Sequence, residues 1–428
     1  MLLTKTKFIL FFMAVLIHSG RLIADSLDIY SCFKSAELLS PLKKQEALLL
    51  TGRDLNQKNI STGYLPELTI AGKATYQSDV FTFPISNPLF DIPVIPKDQY
   101  QATLNLRENI YDAGTTHNLH DLEEAKTTVS QNQLSADLYQ TREIVSQLYF
   151  SILILQENLK TVQESKATLE SQQKSIQSGV EHGAVLPSVL YVIQKELLNI
   201  DQNIIQLTYD RATSLKLLST WIGHDLNDST TLVVPALGES VLPAINRPEI
   251  RLFDSQKQVL ESNKALSHSK QLPFLYAFAQ GGYARPNPFN FFETKFSDFY
   301  LIGLQLNWKP FNWGYEYREK QVLEVQEEEI AAKKEDFIRN LSMALEKDRN
   351  ESRKLAELIR QDDEIISLQK KIAEQYFSQL QHGVITPTEY LTEFNALTNA
   401  QINKKIHHIQ LSQAFLNMLI QYGNINQL

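Results

Sequence analysis

The sequence predicts an α+β membrane protein in which four strands per chain complete a trimeric twelve-stranded β-barrel and long coiled-coil helices form an α-barrel. Three observations carry this reading. The chain repeats itself at an offset of about 200 residues, each half holds two segments that alternate apolar and polar residues, and each half then runs into an unusually long heptad pattern.

The duplication is visible directly. His182-Gly183 followed by Pro187 returns as His382-Gly383 followed by Pro387, and Leu104, Leu106 and Gly114 return as Leu304, Leu306 and Gly314. Upstream, Leu65-Pro66 matches Leu272-Pro273 at a shift of 207, so a loop of variable length follows Pro66. The expected domains are a signal peptide at 1–24, a first repeat at 25–246 and a second at 247–428, each running helix, strand, strand, long helix, helix.

In order along the chain, Lys5 and Lys7 precede an apolar run from Phe8 to Ile17, and Leu22-Ile23-Ala24 offers a cleavage site, so residues 1–24 read as a secretory signal. An N-terminal anchor is the other reading. Cys32 is the one cysteine, so an exported chain has no internal disulfide; Arg21, Asp25 and Asp28 separate it from the apolar run, and Tyr30 stands where lipidation expects a small residue. A first helix is expected from Phe33 to Ser61, and its counterpart begins at Pro248, since proline suits a first helical turn.

Strands follow. Leu68, Ile70, Ala74 and Tyr76 alternate with Thr69, Lys73, Thr75 and Gln77; Tyr100, Ala102, Leu104 and Leu106 alternate with Gln101, Thr103, Asn105 and Arg107. Tyr300, Ile302, Leu304, Leu306 and Trp308 do the same in the second half, whereas Phe274, Tyr276 and Phe278 put aromatics on the expected polar face. A period of two means a strand between unlike environments. The apolar faces are expected to meet lipid, with Thr103 and Gln305 on the lumen side. The connections 82–98 and 286–297 are rich in Pro, Asn and Phe; Phe81, Phe83, Phe90, Phe289, Phe291 and Phe292 suit a membrane interface or a loop packed on a soluble core.

After Gly114 and Gly314 the period becomes 3.5. Leu134, Leu138, Val145, Leu148, Ile152, Leu155, Leu159, Val162 and Leu169 fall at steps of three and four, and Leu190, Ile193, Leu197, Ile200, Ile204 and Leu207 continue beyond Pro187. The helix after each glycine spans about 100 Å at roughly 1.5 Å per residue. Four strands cannot close a barrel, and open edges cannot sit in lipid. Three copies related by a cyclic, head-to-tail contact supply twelve strands and stack the helices into a hollow cylinder.

Composition limits the alternatives. The chain has 428 residues, 21% charged and 43% hydrophobic, with a net charge of −8, which disfavours nucleic acid as a partner. No run of about 18 apolar residues follows the N-terminus. The sequence holds no His-Glu-x-x-His, Gly-x-Ser-x-Gly or phosphate loop, so no enzyme activity and no cofactor is expected. Glu327-Glu328-Glu329 and Asp362-Asp363-Glu364 read as helix surface, and turn histidines His182 and His382 lack the partners a metal needs.

The duplicated Leu-Pro, Ile110-Tyr111-Asp112-Ala113-Gly114 and Phe311-Asn312-Trp313-Gly314 at the strand-to-helix junctions, Arg247-Pro248-Glu249-Ile250, and the gap of about 70 residues from each glycine to its His-Gly turn together resemble the TolC family of outer-membrane efflux and secretion proteins over the whole mature chain. The resemblance implies a homotrimer in outer-membrane lipid whose α-barrel crosses the periplasm. It also implies an adaptor (membrane fusion) protein and an inner-membrane transporter as partners. The turns at Gly179, His182, Gly183 and Pro187 and at His382, Gly383 and Pro387 are then the periplasmic tip that meets the adaptor. Glu389 matches the family's acidic constriction ring by its distance from Gly383, and Glu393 lies one turn on; Glu389 also reads as an ordinary first-turn carboxylate. Val189 and Ile385 occupy the positions of the family's ionic lock, so apolar contacts are expected there. The rival expectation is a soluble periplasmic coiled-coil protein, structural or adhesive, with a small capping sheet.

Overall fold

The computed structural model describes residues 26–82, 94–237, 244–290 and 292–423. The expected signal segment and the loop residues Phe83, Phe90 and Phe291 lie outside the described residues.

The chain opens with β1 (Ser26–Leu27) and α1 (Ile29–Leu39), capped by the Asp28 carboxylate, which accepts from the Tyr30 and Ser31 amides. The helix expected over 33–61 is broken. Pro41 lacks an amide proton and its ring crowds the preceding turn, so α1 stops at Leu39, a 3₁₀ turn covers Pro41–Lys43, and α2 follows (Lys44–Ser61). Next come β2 (Glu67–Tyr76), β3 (Asp98–Tyr111), α3 (Thr115–Glu181), α4 (Pro187–Ile222) and the short β4 (Thr231–Leu232). The second half supplies α5 (Pro248–Ser269), β5 (Phe274–Arg285), β6 (Ser297–Asn307), α6 (Tyr315–Gln381) and α7 (Pro387–Tyr422). Helices α3 and α6 have 67 residues each and α4 and α7 have 36 each, and each pair starts 200 positions apart.

The chain divides into two compact units that cut across the sequence repeats: residues 45–134 with 249–336, and residues 1–44 with 135–248 and 337–428. The first unit holds one antiparallel sheet in the order β2-β3-β5-β6, two hairpins joined through β3 and β5. Register places Leu68, Leu106, Ala279 and Ile302 in one row, and Ile70, Leu104, Gly281 and Tyr300 in the next. Ile70 and Ile302 are 83% and 73% exposed, so this apolar face is bare.

The opposite face carries Lys73 beside Gln101, Thr69 beside Asn105 and Gln280, and the aromatics of β5 and β6 that break the alternation. Those aromatics have identifiable uses. The Arg107 guanidinium stacks 4.1 Å from the Tyr276 ring centre. The Phe299 and Phe278 rings lie over Gly282 and Gly303, where a Cβ would come within 2.7 Å of each ring, so aromatic side chains fill the gaps that strand glycines leave. Thr103, expected on the lumen side with Gln305, lies on this face but is 7% exposed, and its hydroxyl reaches the Ala71 carbonyl at 3.4 Å. The outer edges of β2 and β6 pair with no other described strand.

The second unit packs α1 against the heptad faces of the long helices. Ile29, Cys32 and Phe33 join Val145, Tyr149, Phe150, Ile152 and Leu153 of α3, Leu215, Leu218 and Ile222 of α4, and Ile409, Leu416 and Ile420 of α7. The parallel pair β1–β4 is tied to this core by Tyr149, whose hydroxyl lies 2.7 Å from the Leu27 and Val233 carbonyls. Several heptad positions stay exposed: Tyr191, Leu198 and Ile205 on α4, and Ile365, Leu368 and Ile372 on α6. His407 and His408 diverge as adjacent helical residues must; His407 Nδ1 meets the Asp362 carboxylate at 2.7 Å. Among the described residues no helix is long and apolar enough to cross a membrane, and no group of three or more His, Cys, Asp or Glu side chains is placed to hold a metal ion.

Candidate functional site

Both expected turns lie in the second unit and share one backbone design. At the end of α3, the Gly183 amide donates to the Val180 carbonyl at 3.0 Å and the Ala184 amide to Gly179 at 2.8 Å. At the end of α6, Gly383 donates to Leu380 at 3.1 Å and Val384 to Gln379 at 2.9 Å. This reciprocal closure requires a left-handed residue just past the helix, and Gly183 and Gly383 supply φ of 73° and 70°. The rings of His182 and His382 each place Nδ1 2.7 Å from the carbonyl of Ser178 or Ser378. The histidines therefore bind their own helix ends. Pro187 and Pro387 then open α4 and α7 at the position where a missing amide proton costs nothing.

The two hairpins differ in how the next helix starts. Leu186 precedes α4 with no side-chain cap. Thr386 precedes α7 in a capping box: its hydroxyl accepts from the Glu389 amide at 3.3 Å, and the Glu389 carboxylate accepts from the Thr386 amide at 2.7 Å. These bonds to the Thr386 amide and hydroxyl hold the Glu389 carboxyl below the usual glutamate range. In the single chain Glu389 is thus a helix-start carboxylate, exposed and ionised. Glu393 turns to α6, where Gln369 Nε2 donates to its carboxylate at 2.6 Å.

Val189 and Ile385 belong to one apolar cluster. Val189, 8% exposed, joins Leu169, Ile176, Ile193, Leu380, Tyr390, Leu391 and Phe394, and Ile385 packs against them half-buried. Tyr390 is fully buried between the Phe377 and Phe394 rings, with its hydroxyl on the Gln172 side chain. The structure therefore brings Val189 and Ile385 together, sets Glu389 at the exposed start of α7, and ties Glu393 to α6. Sequence reading missed Thr386, whose Thr-x-x-Glu spacing before a helix is a legible cap signal. It also missed Gln369 and Gln172, for which no local signal exists.

Residues 60–224 match the model of the outer membrane efflux protein family. Comparison of the sequence with curated proteins found no match. The fold is that of the outer membrane protein VceC of Vibrio cholerae, at a TM-score of 0.68 and 14% identity over 92% of this chain and 96% of that one. It is equally that of the Campylobacter jejuni CmeC outer membrane channel, at 0.66 and 14% over 92% and 85% of the two chains. The open state of the Neisseria gonorrhoeae MtrE outer membrane channel matches at 0.65 and 12% over 92% and 88%. Residues 60–224 thus resemble the outer membrane efflux protein family, and the chain as a whole shares the fold of these outer-membrane channels.

Proposed function

We propose that the chain is the outer-membrane exit duct of a tripartite efflux or type I secretion system. It works as a passive homotrimeric channel whose periplasmic end engages an adaptor protein and, through it, an inner-membrane transporter. The observation that carries this reading is the four-stranded sheet: one face is apolar and bare, and both edge strands are unpaired among the described residues. Such a sheet is stable in lipid only when further strands close it, and three copies give twelve. The exposed heptad positions of α4 and α6 favour the same assembly, because a second chain is what a heptad face covers. A soluble coiled-coil role leaves the two continuous apolar rows of the sheet without a purpose.

In this reading the turns at Gly179–Pro187 and His382–Pro387 form the adaptor-facing tip, Glu389 stands three times around the axis, and the Val189–Ile385 cluster holds each tip together. The chain is two tandem repeats, 25–246 and 247–428, and the matching helix lengths support that division. Mass measurement of the folded protein in detergent tests the assembly: a trimer is expected, and a monodisperse folded monomer refutes it.

A further inference from the structure

At the hairpin end of the sheet lies a recess of about 330 Å³, whose lining includes the polar side chains Lys73, Thr75, Gln77, Gln99, Gln101 and Arg285 and the apolar Val80, Phe81, Ile95, Pro286 and Pro288. The volume falls at the lower end of the roughly 300–1,000 Å³ range of small-molecule pockets. Lys73 and Thr75 on β2, with Gln77 just past its end, recur every second residue, and Gln99 and Gln101 do so on the paired β3, so alternation sets the strand residues on the polar face. No side-chain hydrogen bond or ion pair to another described residue engages any of the five, although their neighbours Asn105 and Gln280 on the same face pair with each other at 2.6 Å. Among the described residues no carboxylate lines the recess.

We propose that this recess binds a monosaccharide bearing a carboxylate. The polar and apolar lining residues match the two aspects of such a ring. Primary amides both donate and accept, as sugar hydroxyls do, so three glutamines and a threonine suit a hydroxylated edge. Phe81, 66% exposed at the rim, and the two prolines suit the C–H face of the ring. Two cations line the recess: Arg285 is held by the Asp98 carboxylate at 3.1 Å, whereas Lys73 has no such partner among the described residues, and a charge-assisted bond to Lys73 selects the acid over the neutral sugar. In the proposed exit duct the long helices extend into the periplasm, so the hairpin end faces outward; that orientation rests on the proposed function, whereas binding itself does not depend on transport.

The test is titration calorimetry on the full-length protein in detergent, with sodium glucuronate, glucose and sodium acetate as probes. Glucuronate is expected to bind with a dissociation constant on the order of 1 mM, with glucose and acetate at least tenfold weaker. Lys73→Gln is expected to weaken glucuronate about tenfold, and Gln101→Ala to weaken it as well, in samples that keep native oligomer migration. Absence of saturable glucuronate binding overturns the proposal. So does acetate binding as well as glucuronate, or glucuronate binding left unchanged in both variants.

Discussion

The Thr386 amide nitrogen lies 2.7 Å from the Glu389 carboxylate, and the Thr386 hydroxyl accepts from the Glu389 amide at 3.3 Å, so each residue satisfies the other at the first turn of α7. This has a consequence for the proposed acidic ring. Mutual repulsion among three carboxylates raises their titration range, while the cap lowers it. A carboxylate whose folded pKa is depressed keeps its cap at full strength above the ordinary value of about 4.3, and loses it as pH falls through the lower folded value. Glu389→Gln is expected to reduce cation selectivity in planar bilayers, and Thr386→Val to move the acid loss of selectivity to higher pH. Unchanged selectivity in Glu389→Gln leaves the residue as a cap alone.

The sheet register makes a sharper prediction than alternation alone. Ile302 closes the row Leu68–Leu106–Ala279 on the bare face, and Gln305 stands on the other. Ile302→Arg is expected to cost about 2–4 kcal/mol near the bilayer midplane, and Gln305→Arg far less. Heat-modifiable migration of the trimer reads the difference, and equal loss in both variants reverses the facing assignment. Thr103 is unsuitable as the tolerant control, because it is enclosed beside Phe299 and Gly282.

Cys32 is expected to stay an unmodified thiol. It has no exposed surface in the core formed with Tyr149 and Phe150, and burial, reinforced by the Asp28 charge, pushes its pKa up to about 12. Maleimide at pH 8 is expected to label the native protein negligibly and the denatured protein fully, and intact mass is expected to carry no acyl chain. Rapid labelling of the native trimer refutes this packing of α1.

The large features were legible because they are periodic. Val145, Ile152 and Leu169 stand out by heptad spacing and are among the buried residues of α3, although Tyr149, Phe150 and Leu153, off that spacing, are fully buried too. The two turns were marked by His-Gly and a following Pro, and the glycines do adopt the left-handed conformation that the motif requires. The break at Ser40–Pro41 was also legible from proline chemistry, and the Thr386 cap from its spacing to Glu389. What no pattern encodes is pairing between distant residues: Glu393 with Gln369, Tyr390 with Gln172, the Phe299 ring over Gly282. Heptad spacing alone likewise does not separate Ile372, left open on α6, from Leu380, buried near its end.

The apolar cluster around Val189 and Ile385 yields the remaining prediction. Val189 and Ile385 share one apolar cluster within the chain, but to different depths: Val189 is buried and Ile385 half-buried. The Tyr390 hydroxyl in that cluster is already taken by Gln172, so a carboxylate at Val189 is buried unpaired, and Val189→Asp is expected to cost more than about 3 kcal/mol and to weaken the hairpin pair itself. Thermal unfolding in detergent measures that loss. Ile385→Asp can turn its charge toward solvent, so it is expected to leave the trimer assembled and to raise single-channel conductance, while Ile385→Leu conducts as the native protein does. Apolar contacts are not screened by salt. Native conductance is therefore expected to scale with bulk conductivity from low to high salt. A step up in open probability at high salt, with Ile385→Asp conducting normally, assigns closure to ion pairs elsewhere on the tip and removes Ile385 from the gate.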